Sequence, residues 1–176
     1  MASAPVPAHT GLAFPAAPNA IVKGLIINRF GGYGISVDSF SGLVVQGCYI
    51  GTNATGTTAA PNGAGGIRVN VSGVTIGGTS ATARNVISGN TGDAIDIVSG
   101  GATVQGNFIG TNAAGTAALP NSGSGILISG GSGTIGGTTA GAGNVISGNN
   151  SANFPAGIGI YITGGNGSQV QGIHRH

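Results

Sequence analysis

Short runs in which aliphatic residues alternate with small or polar ones recur along the whole chain, and no stretch carries a helical period. The plainest run is G-I-x-I. It puts Ile35 with Val37, Ile67 with Val69, Ile95 with Ile97, Ile126 with Ile128 and Ile160 with Ile162 on one side of five short strands, because alternate residues of a strand share a face. A second run ends in V-x-G or I-G-G. Its apolar column reads Val22, Val45, Ile76, Val104, Ile135 and Val170, each followed two residues on by a glycine: Gly24, Gly47, Gly78, Gly106, Gly137 and Gly172. Glycine there predicts a corner that needs positive φ or close packing without a Cβ. A third run, N-x-I-x-x-N, contributes Ile27, Ile50, Ile87, Ile109 and Ile146.

The positions flanking this third column are polar in a regular way. Before it stand Leu25, Cys48, Asn85, Asn107 and Asn144; after it stand Phe30, Asn53, Asn90, Asn112 and Asn149. Both flanks predict asparagine ladders, in which stacked amides bond along the column and satisfy buried polar groups at a bend. Leu25 and Cys48 keep the bend with an apolar filler.

The runs belong to a larger repeat. Residues 45–62, VQGCYIGTNATGTTAAPN, recur at 104–121 as VQGNFIGTNAAGTAALPN, identical at 13 of 18 positions. The same offset of 59, from 45 to 104, carries TIGGTSATARNVISGN at 75–90 onto TIGGTTAGAGNVISGN at 134–149, with 13 of 16 identical. Three strands in fixed order per coil, with no helix between them, must pair in parallel with the next coil. The expected fold is therefore all-β, a single-stranded right-handed parallel β-helix of about six coils with three short strands each, over residues 20–172. Residues 1–19 read as a Pro-rich lead, with Pro5, Pro7, Pro15 and Pro18, and residues 173–176 as a tail.

Two corners carry insertions, at residues 80–84 and 139–143 after the second strand and at 53–65 and 112–124 after the third. Loops on a rigid solenoid are the usual place for binding residues, so Asn53, Thr57, Asn62, Asn112, Thr116 and Asn121 are the ligand-binding candidates. The competing reading, a compact turn cluster that satisfies itself, is favoured. Neither loop has a carboxylate, so calcium affinity should be poor and no metal site is expected.

Composition narrows the chemistry. Glycine fills 38 of 176 positions while charged residues make up 5%, and the net charge is +2. The five basic residues are scattered, without the dense stripe that nucleic-acid binding requires. One cysteine excludes an internal disulfide framework, and Cys48 in an inward column reads as a core filler. No segment reads as a membrane span or a signal peptide. The three acids are Asp38, Asp93 and Asp96. Strand spacing of about 4.8 Å puts Asp96 beside Arg68 of the coil below, where a cross-strand surface ion pair is favoured over a catalytic pair. His9 lies in the lead and His174 and His176 at the end, unsuited to a metal site. Tyr161, above Leu127, is a candidate sugar-stacking ring with Tyr33 or Tyr49.

With units such as NVISGN, G-I-x-I and IGTNAAGTAALPN, residues 20–172 resemble the parallel β-helix repeat proteins of the pectate-lyase-like superfamily, above all long bacterial repeat proteins of secreted or surface type. The resemblance implies the fold and a secreted or cell-surface location. It leaves function open, since the superfamily includes polysaccharide lyases, glycosidases and non-enzymatic adhesin-like proteins. A lyase of that kind would need an acid cluster for calcium and a basic proton acceptor, and a hydrolase paired carboxylates. With three acids in all, only Asp96 and Arg68 stand as catalytic candidates, and no cofactor is expected.

The pattern also stops in mid-coil after Gly172, where other coils continue N-x-I-G-T-N, and no amphipathic helix covers either end. The expectation is a piece of a longer solenoid that self-associates as a non-enzymatic structural or surface-interaction module. A carbohydrate-binding or polysaccharide-degrading β-helix is the alternative. Ice binding is the third reading; it would need a regular outward threonine array, which the row Ser36, Arg68, Asp96, Leu127, Tyr161 does not provide.

Overall fold

A computed structural model of the chain describes residues 9–14, 18–39, 41–150 and 157–175. Its strands form three six-stranded sheets, each parallel throughout and each taking one strand from every coil. The first sheet stacks Leu12–Phe14, Tyr33–Val37, Gly65–Val69, Asp93–Ile97, Ile126–Ile128 and Ile160–Ile162. Ile21–Lys23, Val44–Gln46, Ser72–Gly77, Gly101–Gln105, Ser132–Gly136 and Gln169–Gln171 make the second. The third consists of Ile26–Ile27, Tyr49–Ile50, Val86–Ile87, Phe108–Ile109, Asn144–Ile146 and Ile173–His174. Six coils of three strands result, the parallel β-helix expected.

The core is the set of inward columns. Ile35, Ile67, Ile95 and Ile126 stand in register on the first sheet, as do Val37, Val69, Ile97 and Ile128, and all eight are fully buried. The middle columns of the other two sheets close the triangle with Val45, Ile76, Val104 and Ile135 and with Ile50, Ile87 and Ile109. Each such side chain is worth about 1.5–3 kcal/mol on burial, which compensates for strands of two to six residues that would not hold alone. β-branching suits these positions because the side chain packs flat against the pleat.

The paired region reaches past both expected boundaries. Leu12–Phe14 pairs with Ile35–Val37 from within the lead, since Leu12 and Phe14 repeat the alternation of the first strand. At the other end Ile173 stands opposite Asn144 and His174 opposite Val145, so the last residues continue the third sheet, with Ile173 as an apolar filler of the asparagine column.

The corner glycines behave in two ways. After V-x-G the expected residue turns, with φ of 68° at Gly24, 62° at Gly47 and 67° at Gly106. After I-G-G the turn comes one residue earlier, at Gly77 (86°) and Gly136 (77°). The reason is the insertion that follows in those two coils: the chain must leave the sheet sooner, and a Cβ at Gly77 would lie 2.0 Å from the Gln105 carbonyl oxygen. The first of these insertions contains a short 3₁₀ turn, Ala81–Ala83. Among the described residues no helix is long and apolar enough to cross a membrane.

Candidate functional site

The first asparagine ladder stands where expected. Asn85 Nδ2 donates to Asn107 Oδ1 (2.9 Å) and Asn107 Nδ2 to Asn144 Oδ1 (3.1 Å), while each amide also donates to a carbonyl of the coil beneath, Val45, Ile76 and Val104 in turn. Cys48 occupies the next rung: its backbone N–H donates to Asn85 Oδ1 at 2.9 Å, and its Sγ lies 3.3 Å from the Gln46 carbonyl oxygen. Burial pushes the Cys48 thiol up from its ordinary pKa, which keeps it protonated and a poor nucleophile.

The second ladder differs from the expected one. Its rungs are Asn62, Asn90, Asn121 and Asn149, joined by amide bonds of 2.9, 2.9 and 2.8 Å, with Phe30 N–H donating to Asn62 Oδ1 below. Asn53 and Asn112, at the nominal spacing, stand outside it. Isolated antiparallel bridges, Thr52 with Ala59 and Thr111 with Ala118, pinch each long loop shut at its base. The chain therefore rejoins the bend at the P-N that ends the loop, and that asparagine becomes the rung.

The six loop candidates thus separate. Asn62 and Asn121 are fully buried and committed to the ladder. Asn53 Oδ1 accepts the N–H groups of Thr57 and Thr58, and Asn112 Oδ1 those of Thr116 and Ala117, so both asparagines staple their own turns. Thr57 hydroxyl bonds Thr55 hydroxyl at 2.7 Å, and Thr116 hydroxyl lies 3.4 Å from Asn112 Nδ2. The two loops also touch, Ala113 N–H donating to the Gly56 carbonyl at 2.9 Å.

The outer face of the first sheet brings together Arg68, Asp96 and the Tyr33 hydroxyl. Arg68 and Asp96 are direct cross-strand partners, as strand spacing predicts, with Ser36 below and Leu127 and then Tyr161 above. The surface ion pair, however, is replaced by another arrangement. Asp96 is 8% exposed, and its Oδ2 accepts the Tyr33 hydroxyl at 3.1 Å. The Arg68 guanidinium carbon sits 5.9 Å from the centre of the Tyr33 ring. Tyr33 starts two coils below Asp96 and reaches it over Gly65, whose missing side chain leaves the path open; a Cβ there would come 2.9 Å from Tyr33 Cε1. Asp93, at the start of the Asp96 strand, accepts the Ser124 N–H at 2.6 Å.

This cluster is electrostatically strained. Asp96 Oδ1 is buried with no hydrogen-bond partner. Burial raises the Asp96 pKa, opposed by the Tyr33 hydrogen bond; Asp93 raises it further and Arg68 lowers it. Tyr33 is pushed up to about 12 by burial and by the Asp96 charge. Sequence reasoning placed Asp96 and Arg68 side by side but missed Tyr33, because it lies on a different row; the small Gly65 between them was the available signal.

Tyr161 and Tyr33 both belong to the first sheet but lie four coils apart, and Tyr49 is on the third sheet, so the three rings do not share one platform. Among the described residues no three of His, Cys, Asp and Glu gather closely enough to hold a metal ion.

Comparison with known proteins agrees with the architecture. The family model described as the right handed beta helix region matches residues 7–109, more than half of the chain. No curated protein and no solved structure matches. Three stacked parallel sheets, their inward aliphatic columns and this match together make the chain a member of the right-handed β-helix family.

Proposed function

We propose that the chain is a non-enzymatic structural or surface-interaction solenoid that self-associates by coil-on-coil stacking. What carries the reading is where the polar side chains of the long loops go: Asn62 and Asn121 into the buried ladder, Asn53 and Asn112 into their own turns. Loops whose amides are spent on the fold have little left to hold a substrate. Stacking is supported by the architecture itself, in which every described coil offers the next one a strand in each of three parallel sheets. A secreted or surface location fits this use. Two measurements test the reading. Turnover of pectate or another polysaccharide by the purified chain, lost in Asp96→Asn, would refute the non-enzymatic part; sedimentation that finds only monomer over a wide concentration range would refute the association.

A second reading, adsorption to ice, is favoured by one observation on the second sheet. Thr75, Thr103 and Thr134 stand in register on its outward row, one per coil at about 4.8 Å, on strands without a charged residue. Thermal hysteresis that disappears in Thr103→Glu supports it, and its absence from the native chain removes it.

A further inference from the structure

We propose that Arg68 is a charge-gated latch on the first sheet, resting on Tyr33 while Asp96 is neutral and pairing with Asp96 Oδ1 when Asp96 is ionised. Two features of the geometry meet here. Asp96 Oδ1 is the one buried side-chain oxygen or nitrogen among the described residues that lacks a partner, and an ionised oxygen in that position needs one. Arg68 is the direct cross-strand neighbour of Asp96, on the same outer row, and its guanidinium is held by a ring contact at 5.9 Å rather than by an ion pair. A cation–π contact of that length at a half-exposed site is weaker than a charge-assisted hydrogen bond to a buried carboxylate. The two positions of Arg68 therefore exchange order when the carboxyl gains or loses its proton.

The surroundings leave Arg68 as the responding group. From the coil-two strand the facing titratable group is Tyr33, whose hydroxyl already serves Oδ2. On the Asp96 strand itself Asp93 is held by the Ser124 N–H, and the strand above offers Leu127, which carries no charge. Burial, the largest influence on Asp96, brings its titration above the ordinary carboxylate range. Closing the latch in less acidic solution uncovers the Tyr33 ring and clasps coils two, three and four through one carboxylate, so the outer face of the first sheet changes with pH while the aliphatic columns stay in place.

The test is nuclear magnetic resonance of the isotope-labelled full chain, following the Asp96 carboxyl carbon and the Arg68 Nε–H through a pH titration. Both signals are expected to move with one midpoint, and the Arg68-to-Tyr33-ring contact to be lost above it. In Asp96→Asn the Arg68 signal stays at its acid position across the range. Arg68→Gln raises the Asp96 midpoint by about one pH unit, because the opposite charge that favoured ionisation is gone. An Arg68 signal that does not move as Asp96 titrates, or that moves equally in Asp96→Asn, overturns the latch, as does an unchanged midpoint in Arg68→Gln. The first of these readings uses the native chain and does not depend on any variant folding.

Discussion

The Tyr33 hydroxyl donates to Asp96 Oδ2 at 3.1 Å across an intervening coil, tying together two strands that are not neighbours in their sheet. The aromatic ring spans the gap because Gly65 stands between them. Removing the hydroxyl takes away the donor to Oδ2 of a buried carboxyl whose Oδ1 has none in the structure. Tyr33→Phe is therefore expected to destabilise the chain by about 1–3 kcal/mol, most of it the desolvation of an unsatisfied group rather than lost ring packing. Urea unfolding of the variant against the native chain measures it, and a loss of a few tenths of a kcal/mol would show that the carboxylate is satisfied in some other way.

The same carboxyl sets a pH dependence whose sign is fixed. Since burial raises the folded-state pKa of Asp96, the folded chain binds more protons than the unfolded one between the ordinary carboxylate value and the raised value. The stability that neutral Asp96 contributes is full below that window and is lost as pH rises through it. Asp96→Asn has no proton to lose, so its stability should fall less than that of the native chain over the same rise. Denaturant midpoints collected at closely spaced pH values give both curves, and parallel curves would contradict the assignment.

Much of this architecture was legible because the repeat writes each column several times. Ile35 and Ile67 could be assigned to one face, and Arg68 placed opposite Asp96, from alternation and strand spacing alone. What escaped was everything that depends on where a loop rejoins the coil. Spacing made Asn53 and Asn112 ladder rungs, whereas the bridges at Thr52 and Thr111 transfer that place to Asn62 and Asn121, nine residues on. Long-range side-chain reach escaped as well. The burial of Asp96 depends on Tyr33 crossing Gly65, and strand alternation within one coil does not encode it.

The ladder assignment can be tested by comparing positions that the sequence alone treats alike. Asn121→Ala removes two buried donations, to Asn149 Oδ1 and to the Ile87 carbonyl, and strips Asn90 of its acceptor. Asn112→Ala removes contacts in a solvated turn, where water replaces the lost partner. The first should cost about 2–4 kcal/mol and the second about 1 kcal/mol or less. Equal losses in thermal or chemical unfolding would mean that both asparagines serve the fold in the same way.

Cys48 is a natural break in the other ladder and can be repaired. Asn in its place can donate toward the Val22 carbonyl, the acceptor 3.8 Å from Sγ, as Asn85 does to Val45 in the next coil. Cys48→Asn is expected to be neutral or stabilising by up to about 1 kcal/mol. Loss of more than that would indicate that Leu25, the next rung down, offers too apolar a floor for an amide.

The two kinds of corner glycine make the last prediction, because they separate backbone strain from collision. Gly24 and Gly77 both have positive φ, 68° and 86°, so alanine at either pays the left-handed penalty of roughly 1–2 kcal/mol. At Gly24 a Cβ would meet no atom within 4 Å, and nothing further is added. At Gly77 it would lie 2.0 Å from the Gln105 carbonyl oxygen and 2.5 Å from Asn107 Oδ1, a rung of the buried ladder. Neither neighbour can withdraw cheaply: the Gln105 carbonyl accepts the Gly78 N–H, and Asn107 Oδ1 accepts from Asn85. Gly77→Ala should therefore cost several kcal/mol more than Gly24→Ala or prevent folding altogether, with Gly136→Ala, 1.8 Å from the Gln171 carbonyl oxygen, behaving like Gly77→Ala. Circular dichroism melts of the three variants decide it. If Gly24→Ala proves as damaging as the other two, φ alone governs these corners and the early turn of the I-G-G coils has no steric cause.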